Sequence, residues 1–460
     1  MKVFIGILVA GIVFGGFGLC TAEKTWPKEP LRGVNFILLS KTSPRGDQLA
    51  SVATKANFKQ LKNWNVNLIR VVLNVDADSP WYAKSKKGAG DFSPPPIPKD
   101  DPAAPYRKHL AALEQALDLA DRYGIYVIPM AGNIVGRRSD VLYQDSAGAG
   151  FEDHLVELWK LIARRYGKHP RLLGYDLLNE PHSDRELSVW QTELLPRLAR
   201  GIRAIDRDTY LIVEPGPWGM PNGFNTLKPL DDPKVVYSFH FYAPHTYTHQ
   251  GVKTYSKAKV TYPGKIRMFN TSPELYWNRD RLLEYVQPAR QFQQKHHARI
   301  WVGEFSVIRW APNAGRWLAD AIDIFEQYGW DWCYHSYGGW NGWSLTFDAD
   351  APASNQPDGG KTTDRLKLLQ TAWAKNRITS PTTTPSPEKP WPPNSETQTA
   401  NTSTAACRNS GRPSSARRTG KKNEGFIARS SRVLPHRAYS IILENYRIRN
   451  PIDSFSNSQE

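Results

Sequence analysis

The chain has 460 residues, more than an ordinary single domain but within reach of one α/β barrel of roughly 250–350 residues with tails. Sixteen Trp, 20 Tyr and 17 Phe are a heavy aromatic load, most of it expected to fill core. The formal charge of +16 is concentrated after residue 400, in runs such as Arg417-Arg418 and Lys421-Lys422, while the earlier part mixes signs like a solvated surface; with no recognisable motif, nucleic acid is not an expected partner.

Residues 1–22 begin with Lys2, continue through an apolar run, and end Cys20-Thr21-Ala22, the pattern of a secretory signal. The run is short for a membrane span, so a secreted protein, extracellular or periplasmic, is expected, with no membrane association after cleavage. Cleavage would leave only Cys333 and Cys407, too few for a disulfide framework, so stability has to come from a large core.

Residues 31–39 read as a first strand, with Gly33 allowing close approach at the barrel floor, and residues 51–64 as a helix. Residues 67–74 form a second strand, continuously apolar except for Arg70, which needs an anionic partner: either an ordinary core ion pair or a carboxylate in an active site. A Pro- and Gly-rich loop with Trp81 and Tyr82 spans residues 76–105, and a helix over 106–123 stops at Gly124. A third strand is expected at 125–130 and a helix at 152–166.

Residues 173–178 make a short apolar strand that delivers Asn179 and Glu180 before Pro181, which cannot continue the ladder. A helix over 186–206, strands at 210–214 and 235–242, a second long loop over 243–279 and a helix over 280–295 follow. The segment 299–306 repeats the earlier design: an apolar strand, Gly303, then Glu304. A helix over 316–328 and an eighth strand near 330–336 complete the series.

Eight strand signals alternating with helix signals predict a (β/α)8 barrel rather than an open sheet, because no glycine-rich phosphate loop follows the first strand. Residues 379–393 are a Pro/Thr-rich linker, and residues 394–460 are polar, basic and expected to be disordered.

Two glutamates at strand ends are the residue types that glycosidic cleavage requires, one to protonate the leaving oxygen and one to attack or to position water. With Arg70, the Asn179-Glu180-Pro181 triplet, His240 and Tyr242 in SFHFY, and Glu304 in VGEFS, the region 31–376 resembles glycoside hydrolase family 5, a retaining family. The resemblance implies Glu180 as general acid/base and Glu304 as nucleophile. It implies Asn179 as partner of the sugar 2-hydroxyl, Tyr242 and Arg70 as supports of the Glu304 carboxylate, and His240 as a neighbour tuning Glu180. Glu180 itself is expected in a drier pocket without a cationic partner.

The chain departs from the family pattern in two places. Gly132 and Asn133 stand where many members carry His, and His335 stands where many carry Trp, leaving Trp340 or Trp343 as candidate sugar platforms. His245 and His249 lack the context of a metal motif, so neither a metal nor a cofactor is expected. The expected protein is a monomeric, endoglucanase-like β-glycosidase acting on a polysaccharide or oligosaccharide, β-1,4-glucan first. Mannan, xyloglucan or a small glycoside is an alternative substrate, and a catalytically silent carbohydrate-binding barrel an alternative function. Trp81 and Trp277 are expected in the cleft walls.

Overall fold

The computed structural model describes residues 23–40, 50–73, 97–131, 151–181, 190–252, 255–352, 354 and 358–378. The expected signal over residues 1–22, Trp81, Tyr82, Gly132, Asn133, Cys407, and the expected linker and tail over residues 379–460 lie outside the described residues.

Eight parallel strands close into a barrel in chain order: β1 (Arg32–Ile37), β2 (Leu68–Leu73), β3 (Tyr126–Ala131), β4 (Gly174–Asp176), β5 (Tyr210–Val213), β6 (Val235–Phe241), β7 (Arg299–Phe305) and β8 (Asp331–Tyr337), which pairs back onto β1. Gly33 marks a tight point: a Cβ there would sit 2.2 Å from the Leu68 carbonyl oxygen and 2.9 Å from Cys333 Sγ.

Side chains alternate between two cores, because successive residues of a strand face opposite sides. Leu68, Ile128, Leu173, Ile212, Val236, Trp301 and Cys333 fill the barrel interior, with Trp26 and Leu31 closing the floor. Val71, Trp159, Tyr175, Phe239, Phe305, Trp317 and Phe325 face the outer helices. Among the described residues seven tryptophans, at 159, 190, 301, 317, 330, 332 and 373, are fully buried, so much of the aromatic content is structural.

The helices begin and end where local chemistry dictates. Helix α1 (Lys55–Asn63) starts after Thr54, whose side chain accepts from the Asn57 N–H; residues 50–51 instead pair with residues 39–40, so the helix is shorter than the predicted 51–64. Helix α2 (Arg107–Tyr123) ends at Gly124, with φ 73°. After α3 (Phe151–Tyr166), the predicted helix over 186–206 resolves into a π-helical turn, Trp190–Leu194, and α4 (Leu195–Arg203), whose second residue is Pro196. The predicted helix over 280–295 is two, Arg279–Tyr285 and Gln287–His296, with Pro288 opening the second. Helix α5 (Ala314–Gln327) and α6 (Asp364–Trp373) complete the outer layer.

Residues 243–279 are not one loop. They hold a four-residue helix, His245–Thr248, and a hairpin pairing Gly264–Arg267 with Glu274–Trp277. This corrects the assignment of Trp277 to a cleft wall: the ring is 3 % exposed, stands edge-on to Tyr285, and donates from Nε1 to the Ile266 carbonyl at 3.1 Å.

Candidate active site

The carboxyl ends of the strands converge on Arg70, whose side chain is fully buried. Its guanidinium offers five N–H donors in a rigid fork, and five acceptors meet it. Nε donates to Asp176 Oδ2 at 2.6 Å; Nη1 donates to Asn35 Oδ1 at 2.9 Å and Glu304 Oε1 at 2.5 Å; Nη2 donates to Asn179 Oδ1 at 3.0 Å and Glu214 Oε1 at 2.9 Å. The two readings of Arg70 therefore both apply, since it is a core ion pair through Asp176 and a site group through Glu304.

Glu304 lies in β7, two residues beyond Val302, where the register against β6 and β8 shifts. Asn35 Nδ2 holds the Gly303 carbonyl at 2.7 Å, and a Cβ at Gly303 would meet Ser238 Oγ at 2.5 Å, so only glycine passes this point unstrained. The Tyr242 hydroxyl donates to Glu304 Oε2 at 2.7 Å. Burial alone would push the Glu304 carboxyl upward, but His240, Arg70 and the Tyr242 hydroxyl together hold it well below the usual carboxylate range.

Glu180 sits where the chain leaves the ladder after β4, in the left-handed region at φ 48°, a conformation that costs a non-glycine residue free energy unless its surroundings hold it. Here the Glu180 N–H donates to Glu214 Oε2 at 2.8 Å. One Glu180 oxygen lies 2.7 Å from His240 Nδ1, and the carboxyl remains about one-third open. The expectation that Glu180 lacks a cationic partner is corrected by His240. Burial lowers the proton affinity of that ring, but Glu214 and Glu304 with the Glu180 contact raise it well above the ordinary value, so it stands as a cation. Even so, the Glu180 carboxyl is raised: loss of water, with Glu304 and Glu214 nearby, outweighs His240. One oxygen each of Glu180 and Glu304 and a His240 nitrogen lie within 4.8 Å of one another.

That triad has the donor types of a metal site, but its donors are already engaged. His240 is protonated and cannot ligate, and Glu304 is held by Arg70 and Tyr242. His245 and His249 stack with ring centroids 3.9 Å apart and planes 14° apart, so their nitrogens do not converge on a common point.

Trp343 stands over the same end of the barrel, edge-on to His335 at 6.1 Å, tilted against Tyr242 at 6.1 Å and 4.9 Å from His249. Trp340 is one step farther, 6.1 Å from Trp343 and 5.8 Å from Trp310. Both indoles are half-buried.

Glu214 and Asn35 were not singled out from the sequence. Glu214 follows β5, is 1 % exposed, and reaches Arg70, the Glu180 N–H and, at 3.2 Å, His240 Nε2. A signal for it existed, since Glu214-Pro215 ends its strand as Glu180-Pro181 does. Asp176 is buried against Arg70, and burial pushes its carboxyl up to about 7.

Comparison with known proteins gives the family and the fold. The profile of the cellulase family, glycosyl hydrolase family 5, matches residues 32–341. Endoglucanase C of Acetivibrio thermocellus is 28% identical over 268 residues, covering 52% of this chain and 75% of the relative. The fold matches Thermotoga maritima Cel5A in complex with cellobiose at a TM-score of 0.54 and 20% identity, over 74% of this chain and 98% of the other. The Clostridioides difficile cellulose synthase subunit Z matches at 0.53 and 19%, over 74% and 99%.

Proposed function

The chain belongs to glycosyl hydrolase family 5 and is a glycoside hydrolase of the endoglucanase-like kind, and from that premise we propose that it cleaves β-1,4-linked glucan with retention of anomeric configuration, using Glu304 as nucleophile and Glu180 as acid/base. The observation that carries this reading is the pair itself: carboxyl oxygens within 4.8 Å, with proton affinities driven apart. Retaining enzymes need carboxyls about 5–5.5 Å apart, whereas inverting enzymes need room for a water between carboxyl and sugar.

In the first step Glu304, ionised beside Arg70 and Tyr242, attacks the anomeric carbon while Glu180 gives its proton to the leaving oxygen. His240 keeps Glu180 oriented through the 2.7 Å contact. In the second step Glu180, now a carboxylate, takes a proton from water, which displaces Glu304 from the sugar and restores both groups. Asn179 is bound to Arg70 through Oδ1, which leaves its amide N–H groups for the sugar 2-hydroxyl.

The remaining organisation is part of the same proposal: a signal over residues 1–22, export from the cell, a monomeric catalytic unit over 31–376, a linker over 379–393, and a basic tail over 394–460 that catalysis does not require. Reducing-sugar release should be highest on β-1,4-glucan in a panel that includes mannan and xyloglucan, equally for the full chain and for one ending at residue 378. Proton NMR of the first product should show the β-anomer, and Glu304→Gln should lower kcat by about 10⁴-fold or more while oligosaccharides still bind. An α-anomeric first product would overturn the mechanism.

A further inference from the structure

His335 is the polar group beside Glu304 that the double displacement leaves without a task. It lies in β8, with its imidazole edge-on to Tyr242 at 6.5 Å and to Trp343 at 6.1 Å, so two aromatic rings fix its plane. Its Nδ1 is buried and has no hydrogen-bond partner among the described residues. The nearest acceptor of note, Glu304 Oε2, is 3.6 Å away, beyond hydrogen-bond reach, and already accepts from Tyr242 at 2.7 Å. Glu304 Oε1 is bound to Arg70. The carboxylate thus has its donors without His335, and a buried nitrogen left unpaired is a feature that folded proteins rarely keep without a use.

We propose that His335 hydrogen-bonds one hydroxyl of the sugar whose linkage is cleaved, and that it is thereby a specificity-determining residue. Its side chain is 21% exposed while Glu304 beside it is 10% exposed, so the imidazole borders the open part of the cleft on the nucleophile's side. Burial also keeps the ring neutral, with one N–H and one lone pair, and such a ring pairs with a hydroxyl, which can donate or accept. A carboxylated sugar would instead meet the Glu304 charge with no cation at His335 to balance it. The ligand class is therefore a neutral, hydroxyl-bearing sugar. Two aromatic neighbours restrict the approach, so a single hydroxyl position is recognised.

The inference rests on the glycosidase reading above, and one series of assays separates the two. Aryl β-cellobiosides lacking one hydroxyl at a time on the aryl-bearing sugar are compared with the parent compound, for wild type and for His335→Phe, which keeps a ring and deletes both nitrogens. Wild type should lose about ten- to a hundredfold in kcat/KM for deoxygenation at one position. His335→Phe should lose a similar factor on the parent compound and show no further loss at that position. The pair His335→Asn, which restores an N–H near Nδ1, and His335→Leu, which does not, repeats the comparison should the Phe variant fail to fold; only Asn should recover discrimination. Undiminished discrimination by the Phe or Leu variant at every position overturns the assignment of His335. Failure of wild type to cleave any aryl cellobioside overturns the glycosidase reading, and the inference with it.

Discussion

At the base of the cleft, Glu214 makes and breaks no bond in the proposed reaction yet touches three groups that matter to it. One oxygen binds Arg70, the other holds the left-handed backbone of Glu180, and His240 Nε2 lies 3.2 Å away. Its charge raises the proton affinity of both His240 and Glu180. Glu214→Gln keeps the shape and removes the charge, so both affinities should fall and Glu180 should release its proton at lower pH. The alkaline limb of kcat/KM should therefore move down the pH scale, with kcat reduced about tenfold or more and KM within about twofold. An unmoved limb would leave Glu214 a purely structural part. Glu180, Glu304 and Arg70 were legible because each sits at a strand end or breaks an apolar run, whereas His240 and Tyr242 were marked only by the resemblance to the family. Glu214 ends its strand before a proline as Glu180 does, but nothing in a one-dimensional pattern reports that Arg70 has five acceptors to satisfy, and so its part in the site was not legible.

At the scale of elements, the eight strands and most helices were legible because their apolar periods are long and their caps are explicit, as with Thr54 and Gly124. The segment 243–279 was not, because its four-residue helix and short hairpin are too brief to show a period, and their register depends on burying Trp277. The same segment exposes other rings. Tyr255 is 49% exposed and lies 5.2 Å from His249, which in turn lies 5.2 Å from Tyr242 and 4.9 Å from Trp343. Two ring-to-ring steps thus lead from the support of Glu304 to an open aromatic face. Tyr255→Ala should raise KM for long cello-oligosaccharides about fivefold, the loss of ~1 kcal/mol of stacking, and leave short aryl glycosides unaffected. Trp277→Ala should do the reverse, costing about 3–5 kcal/mol of stability by leaving a cavity, with KM of the folded enzyme unchanged. Steady-state kinetics on a length series, set beside urea unfolding, checks both; a KM change confined to Trp277→Ala would refute the placement.

For the molecule as a whole, the barrel has a chemical end and a closed end, and a short segment ahead of β1 seals the second. Lys24 Nζ donates to the carbonyls of Gly167 and Leu172 at 2.6 and 2.9 Å and to Thr209 Oγ1 at 2.8 Å, while Trp26 Nε1 donates to Asp331 Oδ2 at 3.1 Å. All of these acceptors lie at or before the amino ends of strands, opposite Glu180 and Glu304, so the floor can be altered without touching the chemistry. Lys24→Met keeps the length of the stem and removes the donors, and roughly 2–3 kcal/mol should be lost at neutral pH, with kcat and KM unchanged. The pH dependence gives the claim a sharper edge. Burial lowers the Lys24 ammonium from 10.5 to about 8, despite Asp206 and Asp208 nearby. Between those values the unfolded chain holds a proton that the folded one has released, so the stability contributed by Lys24 is least below pH 8 and grows as pH rises towards 10.5. The difference in unfolding free energy between wild type and Lys24→Met, measured by urea titration at a series of pH values, should therefore widen across that window. A difference that stays flat or narrows would mean that the ammonium stays charged against its three acceptors in the folded barrel.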